Sequence, residues 1–267
     1  MTVATLPAFL AAHPHAILVE VIEAKGSTPR EAGTLMLVAE TALWGTIGGG
    51  SLEFMAIDRA RRLLAGENVP DSLDVPLGPE IGQCCGGRVH LSLRRIDQSV
   101  HDALLQRLAD ERATFPEVML FGAGHVGLAL AQALSPLPLA VTLIDSRPDI
   151  DGDVPDGIAF RRVAMPEAEV AKLKTGGAAV ILTHDHALDF LIAKEALARG
   201  DLAYVGMIGS KTKRATFASF LDSEGSGRAA IDRLILPIGG RTVRDKRPAV
   251  IAAMVAAEIL CVLLKSD

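Results

Sequence analysis

The sequence predicts an α/β protein. An N-terminal α+β domain over residues 1–97 and a linker helix over 98–115 precede a Rossmann-like, doubly wound parallel-sheet domain over 116–267, which closes on an apolar helix. Three observations carry this. Strands and helices alternate regularly only after residue 116, the rhythm of a parallel sheet covered by helices. A short apolar stretch, Val118–Phe121, runs into Gly122-Ala123-Gly124-His125-Val126-Gly127, a tight turn that opens a helix. Hydrophobic residues make up 49% of the chain and aromatics only 4%, so the core is built from Ala, Val, Leu and Ile, which suits buried parallel strands.

In chain order, 16–24 and 34–39 read as strands joined by the loop Lys25–Gly33. A short strand at 43–47 leads into three glycines, and a helix follows over 52–64 with Ser51 as its N-cap. Residues 89–94 alternate as a half-buried strand. After the linker helix, strands are expected at 118–121, 139–144, 158–162, 178–182, 202–206 and 233–237. Helices are expected from the glycine turn to 134, near 187–198 and near 210–222. The run 249–264 is apolar apart from Glu258 but shorter than the roughly 20 residues a bilayer requires, so it reads as a buried or interface helix.

A net charge of −5 argues against general nucleic-acid binding. Three cysteines, two of them adjacent, make no disulfide framework. The start, Met1-Thr2-Val3-Ala4-Thr5, has neither the basic region nor the apolar run of a signal peptide, which together with the cysteines points to the cytoplasm. Cys261 lies in the apolar C-terminal run and reads as an inert buried thiol.

Several segments carry chemistry. Gly48-Gly49-Gly50-Ser51 is a backbone able to turn amides toward an anion such as phosphate. In Gly26-Ser27-Thr28-Pro29-Arg30, the guanidinium of Arg30 would grip a phosphate bidentately, or the segment is a plain surface loop. Cys85, followed by Gly86 and Gly87, has no bulky neighbour on that side. It reads as a soft metal ligand, a nucleophile, a thiol donor or an inert cysteine. The turn Gly122–Gly127, with Gly124 and His125 at the helix start and Asp145 ending the next strand, fits a dinucleotide site for NAD(P), or a tight turn kept for packing. Gly209-Ser210-Lys211, followed by Lys213 and Arg214, sets cations at a helix N-terminus, where a bound anion would relieve their conflict with the helix dipole. His184, His186 and Asp189 resemble a metallohydrolase run only loosely, and the alternative is a loop with Asp185 as N-cap.

Taken together, these segments resemble the XdhC/CoxI family, the molybdenum-cofactor chaperones of xanthine dehydrogenase. The resemblance rests on Gly26–Arg30, on Gly45-Thr46-Ile47-Gly48-Gly49-Gly50-Ser51-Leu52-Glu53, and on Cys85-Gly86-Gly87. It continues through Gly122–Val126 and Tyr204–Lys211 to Lys246–Ala253. This chain departs from the family pattern in carrying Arg244-Asp245 where a glycine is expected and in doubling the cysteine. The resemblance implies a binding protein without turnover. It would hold molybdopterin-type cofactor through Arg30, Gly48, Gly49, Gly50, Ser51, Cys85, Gly86, Gly122, Gly124, His125, Gly209, Ser210 and Lys211, with Cys85 as a soft contact to molybdenum. It further implies support of cofactor sulfuration with a cysteine desulfurase as sulfur source, and delivery to the molybdenum-binding subunit of xanthine dehydrogenase. The apolar 249–264 helix fits a homodimer or a core helix. The rival reading is an NAD(P)-dependent oxidoreductase; neither nucleic acid nor a membrane is an expected partner.

Overall fold

The computed structural model describes residues 5–78, 86–148, 154–225, 228–240 and 242–265, and the chain divides into two units, Met1–Asp110 and Glu111–Asp267. In the first, the elements are α1 (Leu6–Ala12), β1 (Ile17–Lys25), β2 (Leu35–Val38), β3 (Leu43–Gly45), α2 (Gly50–Leu64), β4 (Ser72–Pro76), β5 (Arg88–Arg95) and α3 (Gln98–Ala113). The strands form a sheet in the order β3-β2-β1-β5-β4, antiparallel at every step. Alternation along β1 decides which side chains go where. Ile17, Val19 and Val21 pack with Leu52, Ala56, Ile57 and Ala60 of α2. Leu18 joins a second core with Phe9 and Leu10 of α1 and Leu104 of α3.

Two elements here escape the sequence pattern. α1 is only seven residues long, too short to show a period, and is started by Thr5, whose hydroxyl accepts the Ala8 amide. β4 contains Asp74 and Pro76 and is an edge strand held by pairing with β5. The start of α2 also differs from expectation. Gly49 is the cap, with φ of 77°, and Ser51 lies inside the helix.

The second unit runs β6 (Glu117–Phe121), α4 (His125–Leu134), β7 (Ala140–Asp145), β8 (Ala159–Arg162), α5 (Pro166–Glu169), β9 (Ala178–Ile181), α6 (His186–Arg199), β10 (Tyr204–Met207), α7 (Lys211–Ser223), β11 (Leu234–Ile235) and α8 (Pro248–Leu263). Its six parallel strands lie in the order β11-β10-β9-β6-β7-β8, the doubly wound arrangement predicted. Val118 and Leu120 of β6 face α4 and α8, while Met119 and Phe121 face α6. Strand order reverses between β6 and β9, so a crevice opens at their C-terminal ends.

α8 lays Ala252, Val255, Ala256 and Ile259 against this core. Its single charge, Glu258, accepts hydrogen bonds from the buried Tyr204 hydroxyl at 2.9 Å and the Gly239 amide at 3.0 Å. Burial and the adjacent Glu258 carboxylate push the Tyr204 phenol up, so it remains a donor. Cys261, expected to be buried, is exposed on the opposite side of the helix. A 3.6-residue period turns it away from the face that carries Ile259. Among the described residues no helix is long and apolar enough to cross a membrane. Tyr204→Phe leaves Glu258 with the Gly239 amide alone and should cost about 2 kcal/mol, read as a lower urea midpoint at unchanged slope.

Candidate functional site

Antiparallel register brings one set of strand ends of the first unit together. Lys25 at the end of β1 pairs with Arg88 at the start of β5, which also faces Pro76 at the end of β4. Gly45 at the end of β3 faces Met36 near the start of β2. The loop Gly26–Gly33, the turn Gly45–Gly50 and the segment Gly86–Gly87 therefore emerge along one edge. They touch at their glycines. A Cβ on Gly48 would lie 2.7 Å from Cγ of Pro29, and one on Gly87 would lie 2.3 Å from the Ser27 carbonyl oxygen. Gly86 donates to the Leu77 carbonyl at 2.8 Å and Leu77 to the Gly87 carbonyl at 2.7 Å, which anchors this segment beyond β4. Ser27, Arg30, Gly48, Gly50 and Gly86 are exposed, and Gly49 and Ser51 are half-buried. Cys84 and Cys85 lie outside the described residues.

The triple-glycine turn does point amides inward, but at a carboxylate of its own. Oε2 of Glu53 accepts from the Thr46 hydroxyl at 2.5 Å, the Gly49 amide at 3.1 Å and the Ile47 amide at 3.3 Å. The Gly48 amide donates to Thr46 Oγ1 at 3.1 Å. Glu53 lies in the first turn of α2, where the helix dipole favours an anion. An incoming phosphate would meet that charge. Among the described cations of this edge, Lys25 pairs with Glu23 and Arg88 with Asp74, and the exposed Arg30 beside Gly48 is suited to a phosphate.

In the second unit, Gly122 and Gly124 have different surroundings. A Cβ on Gly122 would come within 2.7 Å of the Leu182 backbone, whereas one on Gly124 would meet nothing within 4 Å. The exposed His125 begins α4 beside that open position. Asp145, expected to meet a ribose hydroxyl, is turned inward and 5% exposed. Its Oδ2 accepts from the Ala123 amide at 2.7 Å and Arg147 Nη2 at 2.7 Å, and Oδ1 from Arg147 Nε at 3.0 Å and the Arg147 amide at 2.9 Å. Burial alone would raise its pKa. The Arg147 side chain and the two backbone amides outweigh that and hold the carboxyl at about 2. The crevice lined by Gly122, Asp145, Ser146, Thr183 and His184 has about 10 Å³ of room, enough for one water.

The basic run on α7 is largely spoken for. Ser210 caps the helix by accepting the Lys213 amide. Lys213, itself buried, bonds the fully buried Asp189 carboxylate and the Ile208 carbonyl. Gly209 leaves room for that side chain, since a Cβ there would sit 2.6 Å from Lys213 Cδ. Arg214 donates to the Leu234 and Ile231 carbonyls, both at 2.8 Å. The cations thus find internal partners, and Lys211 is the exposed one of the three. Asp189 also accepts from the Thr183 amide and hydroxyl, so it is no metal ligand. Asp185 caps α6, as the loop reading has it. Among the described residues no cluster of His, Cys, Asp and Glu is arranged to hold a metal ion.

The sequence pattern assigns no task to Glu53, Arg107 or Arg147. A signal existed for Glu53, an acid in the first turn after a glycine cap. Arg107 meets its partners only through the tertiary fold.

Residues 118–259 match the model of the XdhC Rossmann domain and residues 9–71 that of the XdhC and CoxI family. The chain is 27% identical over 258 residues to the uncharacterized protein YqeB of Escherichia coli (strain K12), a match covering 91% of this chain and 42% of that protein. It therefore spans less than half the length of that relative. A solved structure from Bacillus halodurans, described as a xanthine dehydrogenase, superposes with a TM-score of 0.73 at 18% identity over 97% of this chain and 95% of its own. That likeness is one of fold.

Asp145 yields a prediction about pH. Its carboxyl titrates lower in the folded chain than in the unfolded one, so its contribution is full above about pH 4 and is lost as pH falls toward about 2. Asp145→Asn should lose about 2 kcal/mol at neutral pH. Denaturant titrations at a series of pH values should show the two proteins converging at the acid end.

Proposed function

The chain belongs to the XdhC and CoxI family, an accessory family of xanthine dehydrogenase, and from that premise we propose that it carries molybdenum cofactor to the dehydrogenase without turning it over. The observation that carries the proposal is the meeting of the loop Gly26–Gly33, the turn Gly45–Gly50 and Gly86–Gly87 on one edge of the antiparallel sheet. Exposed Arg30 supplies a planar, permanently charged fork for a phosphate. Ser27, the main chain of Gly50 and the carbonyls of Gly48 and Gly86 supply neutral polar contacts that need no bulky side chain. Cys85, next in sequence to Gly86, supplies a soft, displaceable sulfur. Displaceability matters because a carrier must release its cargo. The cargo would exchange a terminal oxo, lost as water, for a sulfido ligand drawn from the persulfide of a cysteine desulfurase, with two electrons and two protons supplied by a thiol reductant.

Because Glu53 takes the Gly49 amide and Thr46 the Gly48 amide, the phosphate contact in this reading falls chiefly to Arg30. In the second unit Gly124, His125 and Lys211 remain accessible. The oxidoreductase reading is disfavoured by the engagement of both Asp145 oxygens with Arg147 and Ala123.

The test is retention. Purified protein is mixed with molybdenum cofactor, passed over a sizing column, and assayed for bound molybdenum. Wild type should retain it, Cys85→Ala should lose most of it, and Arg30→Ala should bind at least about tenfold more weakly. Equal, negligible retention by wild type and both variants overturns the proposal. Titration with NADH, followed by nicotinamide fluorescence, should show no binding up to millimolar concentration.

A further inference from the structure

The loop that carries Arg30 is braced from both sides by residues outside the proposed contact set. On one side is Glu53. By holding the Thr46 hydroxyl and the Ile47 and Gly49 amides, it fixes the turn in which Gly48 rests against the Pro29 ring. Pro29 immediately precedes Arg30. On the other side is Arg107 of α3. Its guanidinium donates to the Gly33 carbonyl at the far end of the same loop, and to Glu20 Oε1 of β1 at 2.7 Å. Glu20 is mostly buried and also receives Arg94 at 3.2 Å, so Arg107 is tied to the sheet as well as to the loop. Two further main-chain bonds, Gly33 N to Val21 O and Val21 N to Thr34 O, close the loop base.

We infer that Glu53 and Arg107 are positioning residues, which hold the Gly26–Gly33 loop in the conformation that presents Arg30 to an anionic ligand. The inference rests on the proposed site and adds to it the means by which an exposed loop arginine is preorganised. A guanidinium on a free loop pays ordering entropy at each binding event, and a fixed loop has already paid it. The arrangement also gives the inward amides of the glycine turn a use other than ligand capture. Their acceptor is a carboxylate that acts at a distance, through Gly48 and Pro29. Neither brace is needed to fill the core. Glu53 is half-buried and Arg107 exposed.

Trypsin cleavage after Arg30 reads the loop without reference to any cargo. Wild type, Glu53→Ala, Glu53→Gln, Arg107→Ala and the control Arg62→Ala are digested under native conditions, with the Arg30–Glu31 cut followed by mass spectrometry. Arg62 is on the same helix as Glu53 but pairs with Glu67, away from the loop. Glu53→Ala and Arg107→Ala should be cut roughly tenfold faster or more. Glu53→Gln keeps an oxygen for the amides and should fall between wild type and the alanine variant. Arg62→Ala should match wild type, and thermal midpoints should be alike throughout.

The same proteins are then assayed for molybdenum cofactor, where the two alanine brace variants should retain less than wild type and the glutamine variant more than its alanine counterpart. Unchanged cleavage in both alanine brace variants overturns the inference. So does equal acceleration in Arg62→Ala, which would report general loosening. Faster cleavage with undiminished retention also overturns it, because the braces would then hold the loop for something other than the cargo. If wild type retains no cofactor while the cleavage pattern appears as expected, the carrier reading falls and the bracing of the loop is upheld.

Discussion

The edge where β1, β3 and β4 end and β2 and β5 begin is held together by glycine main chain in close approach to its neighbours, a proline ring in one case and a carbonyl in the other. Gly48 against Pro29 and Gly87 against the Ser27 carbonyl are contacts that no side chain at those glycines would allow. Every other feature of the proposed site follows from them. They set how far the Arg30 loop stands from the triple-glycine turn, and they place Gly86 beside that loop. The antiparallel strand order supplies the rough alignment, while the missing Cβ atoms supply the closeness.

The two units treat their charges in the same way. In the first, Glu53 meets a hydroxyl and two amides of its own helix entrance. In the second, Asp145 is met by Arg147 and Ala123, Asp189 by Lys213 and Thr183, and Glu258 by Tyr204 and Gly239. Each of these carboxylates sits near a glycine-rich turn or a helix start, where sequence patterns invite a ligand. A charge drawn out of water needs its partners inside the protein, and these four find them in neighbouring hydroxyls, amides and cations. The doubly wound unit therefore commits Asp145, the acid that ends its second strand, to an internal pair.

How far the sequence could be read follows from the range of the interactions involved. Strand and helix rhythm in the second unit depends on local periodicity, and the parallel order was legible from it. The helix start at Gly50 was misread because Ser51 has the stronger capping preference, whereas the structure uses a glycine at positive φ and a carboxylate four residues on. The cationic run on α7 looked like an anion site because Asp189, its answer, is 24 positions away from Lys213. Arg107 was invisible for the same reason, with its partners Gly33 and Glu20 74 and 87 positions off. Local rules register the residue, but only the fold shows whom it serves.

Because the contact points at Gly48 and Gly87 admit no side chain, this edge has little freedom to change by altering its framework. Divergence among relatives would have to fall on what hangs from it, namely Ser27, Thr28 and Arg30. A main-chain scaffold with interchangeable attachments lets the chemistry of an exposed edge change while leaving the architecture beneath untouched.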